Sequence, residues 1–325
     1  MKRAIVLGVI VLACFVVRPA ADAQSLAPVP RIGVLRFSGA SGSDPFMEAL
    51  RLGLREHGYV EGKNIAIEWR SAEGRNERAA EIAGELVRLK VSLIVASGTP
   101  AAEAAKHATR RIPIVLASVA DAVGSGFVRS LARPGGNITG VSLNYPATTG
   151  KQLELLRQAI PGITRVAFLG STSDPAAQLF VEGLERAGQR LGIRTQVLMV
   201  GDGDEFDGAF AAMRREQAGA LIVQPIFAES IRKIAELATR NRLPTASYRR
   251  DFAEPGILLN YGADQRENWR RAAIFVDRIL KGAKPGDLPV AEPAKYELVV
   301  NLKTAKALGL TIPQSVLGKA DGVIQ

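Results

Sequence analysis

Small hydroxyls, glycines and single acids gather where apolar runs end in this chain. Ser38-Gly39 follows one run, Ser97-Gly98-Thr99-Pro100 a second, and Ser118 with Asp121 a third. Ser171-Thr172-Ser173-Asp174 follows a later one, and Gln224, Tyr248, Asn260 and Tyr261 stand at similar ends. Hydroxyls and backbone N–H groups suit the carboxylates, amides and hydroxyls of a small polar ligand. Asp121 could meet an ammonium or equally cap the helix near Gly126–Leu131. Tyr248 and Tyr261 could stack on a ligand or pack across a hinge. Catalytic patterns are missing. The two histidines, His57 and His107, fall late in helical stretches, away from these ends. There is no H-E-x-x-H, G-x-S-x-G or Walker loop. Asp121 with Asp174 is the one acid pair that a hydrolase could use.

Alternating elements must hold these residues. Apolar strands are expected at Ile32–Phe37, Ile65–Trp69, Val91–Ala96, Ile114–Ser118 and Thr139–Leu143. A second series is expected at Val166–Gly170, Thr195–Val200, Ala220–Gln224, Thr245–Tyr248, Ile257–Tyr261 and Tyr296–Asn301. Helical periods lie between them. Near-continuous apolar strands alternating with helices indicate parallel sheets covered on both faces. Ser43-Asp44-Pro45 opens a helix in the first series, with Phe46, Leu50 and Leu54 on one face. Ser173-Asp174-Pro175 opens one in the second, with Phe180 and Leu184 at the same offsets as Leu50 and Leu54. Such helix starts lie beyond the carboxyl ends of strands, where open parallel sheets bind ligands, and they expose unpaired N–H groups. Two facing lobes would therefore present Ser38, Gly39 and Ser43 opposite Ser171, Thr172 and Ser173. Asp44 and Asp174 themselves fit helix caps better than ligand contacts.

Met1-Lys2-Arg3, an uncharged apolar run from Ala4 to Val17 and Ala21-Asp22-Ala23 form the three parts of a secretory signal, expected over residues 1–23. The run is shorter than the roughly 20 residues of a membrane span. Val11-Leu12-Ala13-Cys14 loosely resembles a lipoprotein cleavage box. Leu12 fits it poorly and apolar residues continue past it, so a soluble periplasmic form is expected over a lipid anchor at Cys14. Cys14 is the single cysteine, which removes disulfides and thiol chemistry from the folded part. The formal charge is +10. Its cations are scattered in ones and twos, which describes a solvated basic surface and not a nucleic-acid site.

The stretch DRILKGAKPGDLPVAEPAKYELVVNLKTAKALGLTIPQSVL, Asp277 to Leu317, closely resembles the C-terminal signature of bacterial ABC-transporter substrate-binding proteins whose characterised members bind tryptophan or tyrosine. Gly53–Gly74, Val95–Lys106, Ile112–Asp121 and Ser130–Ser142 agree with it. The resemblance implies an α/β fold of the type I periplasmic-binding-protein kind: two doubly wound parallel-sheet lobes joined by three hinge crossovers around a ligand cleft. On it, residues 28–144 with 262–295 form one lobe, and 145–258 with 299–325 the other. It implies a monomer that captures a small polar solute, an amino acid of aromatic type favoured, and hands it to a membrane permease without cofactor, metal or turnover. It assigns Ser97, Gly98, Thr99 and the Asp121 loop to the site from lobe one, and the Ser171–Asp174 loop, Gln224 and Tyr248 from lobe two. Two departures fall there: relatives carry Asp-Pro where this chain has Asp121-Ala122, and an Asn-rich loop where it has Ser171-Thr172-Ser173. An exported two-lobed enzyme acting on sugars or esters, and a ligand-sensing subunit of a membrane receptor, are the alternatives.

Overall fold

A computed structural model describes residues 29–39, 44–201 and 203–325. The expected signal segment, Cys14 and Ser43 lie outside the described residues. The first lobe is built on β1 (Arg31–Arg36), β2 (Ala66–Ser71), β3 (Leu93–Ser97), β4 (Ile114–Val119) and β5 (Ile138–Ser142), with α1 (Pro45–Glu56), α2 (Asn76–Arg88) and α3 (Thr99–Ala108) between them. Its sheet order is β2-β1-β3-β4-β5, and every pair is parallel. Side chains alternate across it. Ile32 and Val34 pack with Leu50 and Leu54 of α1, while Leu35 packs with Ile82 and Leu86 of α2. The helices therefore cover opposite faces.

The second lobe begins with α4 (Tyr145–Ala159) and continues through β6 (Arg165–Ser171), α5 (Ala177–Leu191), β7 (Arg194–Val200), α6 (Phe206–Arg215), β8 (Ala220–Val223), α7 (Ile231–Arg240), β9 (Thr245–Ser247) and β10 (Leu259–Ala263). Next comes α8 (Gln265–Leu280), which packs against α1 and β4 of the first lobe. Gly53 permits that contact: a Cβ there would stand 2.3 Å from the Arg270 carbonyl oxygen. The chain then returns through β11 (Tyr296–Asn301), α9 (Leu302–Ala307), α10 (Gln314–Leu317) and β12 (Gly322–Ile324). The second sheet runs β12-β11-β10-β9-β8-β6-β7. Its pairs are parallel except β10 with β11, because α8 carries the chain to the other lobe and back before β11 is laid down.

Four elements depart from the sequence reading. The sequence pattern places a helix at about Thr149–Ile160; α4 starts earlier, at Tyr145, since Pro146 sits in its first turn behind a left-handed Asn144. α5 starts at Ala177, after a turn through Pro175 and Ala176. The short α10 and β12 had no periodic signal to announce them.

Candidate functional site

The carboxyl ends of both sheets face a shared cleft whose atom-free space, open mouth included, is about 510 Å³. Phe37, Ser38, Ser97, Gly98, Thr99 and Ser118 form the wall of the first lobe. Gly98 precedes α3 with φ +92°, and a Cβ there would press on Phe37 at 2.8 Å. Among the described residues no side chain caps α3. Thr99 Oγ1 is turned away to accept from the Ala120 N–H at 3.3 Å, and the Gly98 N–H is held by the Ser118 carbonyl at 2.6 Å. The first turn of α3 thus meets the cavity with uncapped amides and a partial positive charge, a receptor for an anion.

The second lobe contributes Asp174, Phe180, Pro225, Ile226 and Arg249. Asp174 is only 8% exposed. Its Oδ1 accepts from the Ala176 N–H at 3.0 Å and its Oδ2 from Gln224 Nε2 at 2.6 Å. Both donors are neutral. Burial pushes the carboxyl up to about 6, and the Ala176 bond only partly offsets it. Gln224 is wholly buried behind it and accepts from the Ser171 N–H at 2.7 Å. Ser171 and Ser173 share a hydroxyl–hydroxyl bond of 2.8 Å, and Thr172 Oγ1 donates to the Val200 carbonyl at 3.4 Å. These four residues brace the loop that aims Asp174 and do not line the cavity.

Of the other residues singled out from sequence, Gly39 bridges the lobes: its N–H donates to Glu229 Oε1 at 2.6 Å. Asp121 Oδ1 accepts from the N–H groups of Val123 and Gly124, both at 2.9 Å. It caps a turn and lies outside the cavity wall. Tyr248 is fully buried in the core of the second lobe, bonded to Thr149 Oγ1 at 2.8 Å and set edge-on to Phe180. Tyr261 stacks on Tyr296. Neither tyrosine lines the cavity. His57 stands near Asp277 and His107 near Glu103, both away from it. Among the described residues no cluster of His, Cys, Asp or Glu could hold a metal ion.

Sequence reasoning missed Tyr145, Gln265 and Arg249, which line the cavity beside the lobe connections. Arg249 directly follows the strand-end Tyr248, and that position was its one signal. As part of an Arg-Arg pair it resembled surface charge. It donates through Nε and Nη2 to Asp251 at 3.0 and 2.5 Å and lies over Phe46 of the first lobe, 5.5 Å from the ring centroid. Asn76 Nδ2, at the start of α2, donates to the Ser173 carbonyl at 2.8 Å. With Gly39–Glu229, this holds the lobes closed.

Comparison with known proteins agrees with this architecture. The ABC transporter substrate binding protein family matches residues 31–324. A tyrosine-binding protein of Clostridioides difficile (strain R20291) is 28% identical over 262 residues, 79% of this chain and 74% of the relative. The structure of an ABC domain in complex with L-Trp from Streptococcus pneumonia is 29% identical and superposes with a TM-score of 0.85, covering 91% of this chain and 99% of that one. A ligand-free, open substrate binding protein with adhesive properties from Clostridium difficile is 25% identical, covering 91% of this chain and all of its own, with a TM-score of 0.66.

Proposed function

This chain belongs to the ABC transporter substrate binding protein family and serves an ABC transporter by binding its solute, and from that premise we propose that the solute is an α-amino acid with an aromatic side chain. The observation that carries this reading is Asp174, a buried carboxylate in the cavity wall with only neutral donors, facing the uncapped start of α3. The ligand ammonium pairs with Asp174. Its carboxylate takes the amides at the start of α3, with Ser97 and Ser118 beside them. Phe37, Tyr145, Phe180, Pro225 and Ile226 enclose the side chain. The relatives named for tyrosine and L-Trp support the same class. Asp121 lies outside the cavity, which leaves Asp174 without the acid partner that hydrolysis would need, and this favours capture without turnover. The protein then acts as an exported monomer that passes its ligand to a membrane permease. No helix of the described residues is long and apolar enough to cross a membrane.

The test is a thermal scan of protein unfolded and refolded to remove bound solute, against a panel of L-amino acids. A ligand at about a hundred times its Kd adds about 2.7 kcal/mol, a rise of several degrees in Tm. An aromatic amino acid should give it, and the same compound without its amino group should not. Equal shifts from both, or no shift from any amino acid, would overturn the reading.

A further inference from the structure

The end of the cavity beside the lobe connections holds polar groups that a bound zwitterion leaves unused. Tyr145 opens α4, Gln265 opens α8, and Arg249 follows β9. Gln265 Nε2 donates to the Tyr145 hydroxyl at 2.6 Å. That leaves the Tyr145 O–H free to donate and Gln265 Oε1 free to accept, since neither has another hydrogen bond among the described residues. Arg249 commits Nε and Nη2 to Asp251, and its Nη1 has no acceptor there. The wall therefore offers two donors and one acceptor, beside an arginine whose charge Asp251 already balances.

These groups lie away from Asp174. Strand β8 separates β6, which leads to Asp174, from β9, which leads to Arg249. Two strand spacings amount to about 10 Å. The two side chains also approach opposite faces of the first sheet. The Asp174 loop is bonded to α2 through Asn76, and Arg249 covers Phe46 of α1. A ligand whose ammonium rests on Asp174 would point its extended side chain at Arg249.

Resting on the amino-acid reading above, we infer that Tyr145, Gln265 and Arg249 select a phenolic hydroxyl at the tip of the ligand side chain. A phenol oxygen accepts from Arg249 Nη1 and from Tyr145, and its proton goes to Gln265 Oε1, so all three groups are used. A carboxylate tip would set two oxygens against Gln265 Oε1 and would meet no net charge from the Arg249–Asp251 pair. A plain phenyl ring would leave every one of these groups unpaired, the condition under which hydrogen-bonding sites discriminate most sharply.

Calorimetric titration of the ligand-stripped, refolded chain with L-tyrosine, L-phenylalanine and 4-carboxy-L-phenylalanine tests this. L-Tyrosine should bind tighter than either by about tenfold or more. Tyr145→Phe and Gln265→Met, made separately, should each pull the tyrosine-to-phenylalanine ratio toward one, with folding checked by circular dichroism. Equal affinity of the wild type for tyrosine and phenylalanine would overturn the inference and leave the amino-acid reading standing. So would a ratio untouched in both variants, or tightest binding of the carboxylated analogue. An Arg249→Met variant that is folded but loses all three ligands alike would show that the α-carboxylate occupies this end, and would also overturn it. Binding of none of the three by the wild type would overturn this inference, and the amino-acid reading falls with it only if L-tryptophan in the same titration also fails to bind.

Discussion

Asp44 and Asp174 follow a serine and precede a proline in two copies of one strand-turn-helix unit, yet their charges are handled differently. Asp44 caps α1 through the N–H groups of Phe46 and Met47 and forms an ion pair with Arg36. Asp174 also serves its turn, but its second oxygen receives only the Gln224 amide. The protein neutralises the first acid and leaves the second for a cation. The sequence could identify Asp44 as a cap, because Asp before Pro at a helix start is a local signal; in the second unit the helix starts later, behind Ala176, and Asp174 caps only the turn before it. The sequence could not show that burial leaves Asp174 in need of a partner. Asp174→Asn should weaken amino-acid binding by about tenfold to a hundredfold, a charge-assisted bond lost in a buried site. In the wild type the ammonium needs the ionised form, so affinity should drop toward about tenfold per pH unit below about 6. Stability without ligand has the opposite sign. The folded state holds the Asp174 proton better than the unfolded chain does, so this contribution is full below the unfolded value of about 4 and is lost as pH rises through about 6. Its size is on the order of 3 kcal/mol. From pH 7.5 to pH 5 the wild-type Tm should therefore gain a few degrees on that of Asp174→Asn. An unchanged difference would mean that Asp174 is not a buried charge.

The strands and most helices were legible because each carries its own pattern: apolar runs for β1 to β11 and a four-residue spacing for α1. The strand-end rule then led to Ser38, Ser97 and Ser118, which do line the cavity. It fared worse where an element's start depends on what it packs against. Tyr145, Gln265 and Arg249 come from three connections far apart in sequence, and only the folded lobes bring them together. Gly98 shows how finely one start is set, since its backbone conformation and its contact with Phe37 fix the first turn of α3. Gly98→Ala should cost about 1–3 kcal/mol of stability and also raise Kd, because the amides that receive the carboxylate must move. Gly162→Ala is the control. Its φ is +83° but a Cβ there meets nothing within 4 Å, and it lies outside the cavity. It should lower Tm through backbone strain while Kd stays put. Equal Kd for the two variants would separate the start of α3 from ligand binding.

Closure depends on how the two lobes meet, and the local patterns that announce strands and helices do not encode it. The connections cross three times, and α8 sits with the first lobe between two strands of the second, so the lobes can rotate without breaking either core. Among the described residues, two hydrogen bonds span the cleft away from these connections: Gly39 N–H to Glu229, and Asn76 to the Ser173 carbonyl. Neither residue pair lines the cavity, although the Ser173 carbonyl belongs to the loop that aims Asp174, so both bonds favour the closed form with or without ligand. One bond is exposed and the other part-buried, and such bonds contribute about 0.5–1.5 kcal/mol each. Losing both should shift the open–closed equilibrium by roughly tenfold, and apparent affinity falls with the closed fraction. Glu229→Ala with Asn76→Ala should therefore raise Kd by several-fold, chiefly through faster release. The radius of gyration of the ligand-free double variant should exceed that of the wild type in small-angle scattering, and saturating ligand should bring the two together. Affinity lost with no change in ligand-free dimensions would place the effect on the binding residues themselves and count against these bonds as closure contacts.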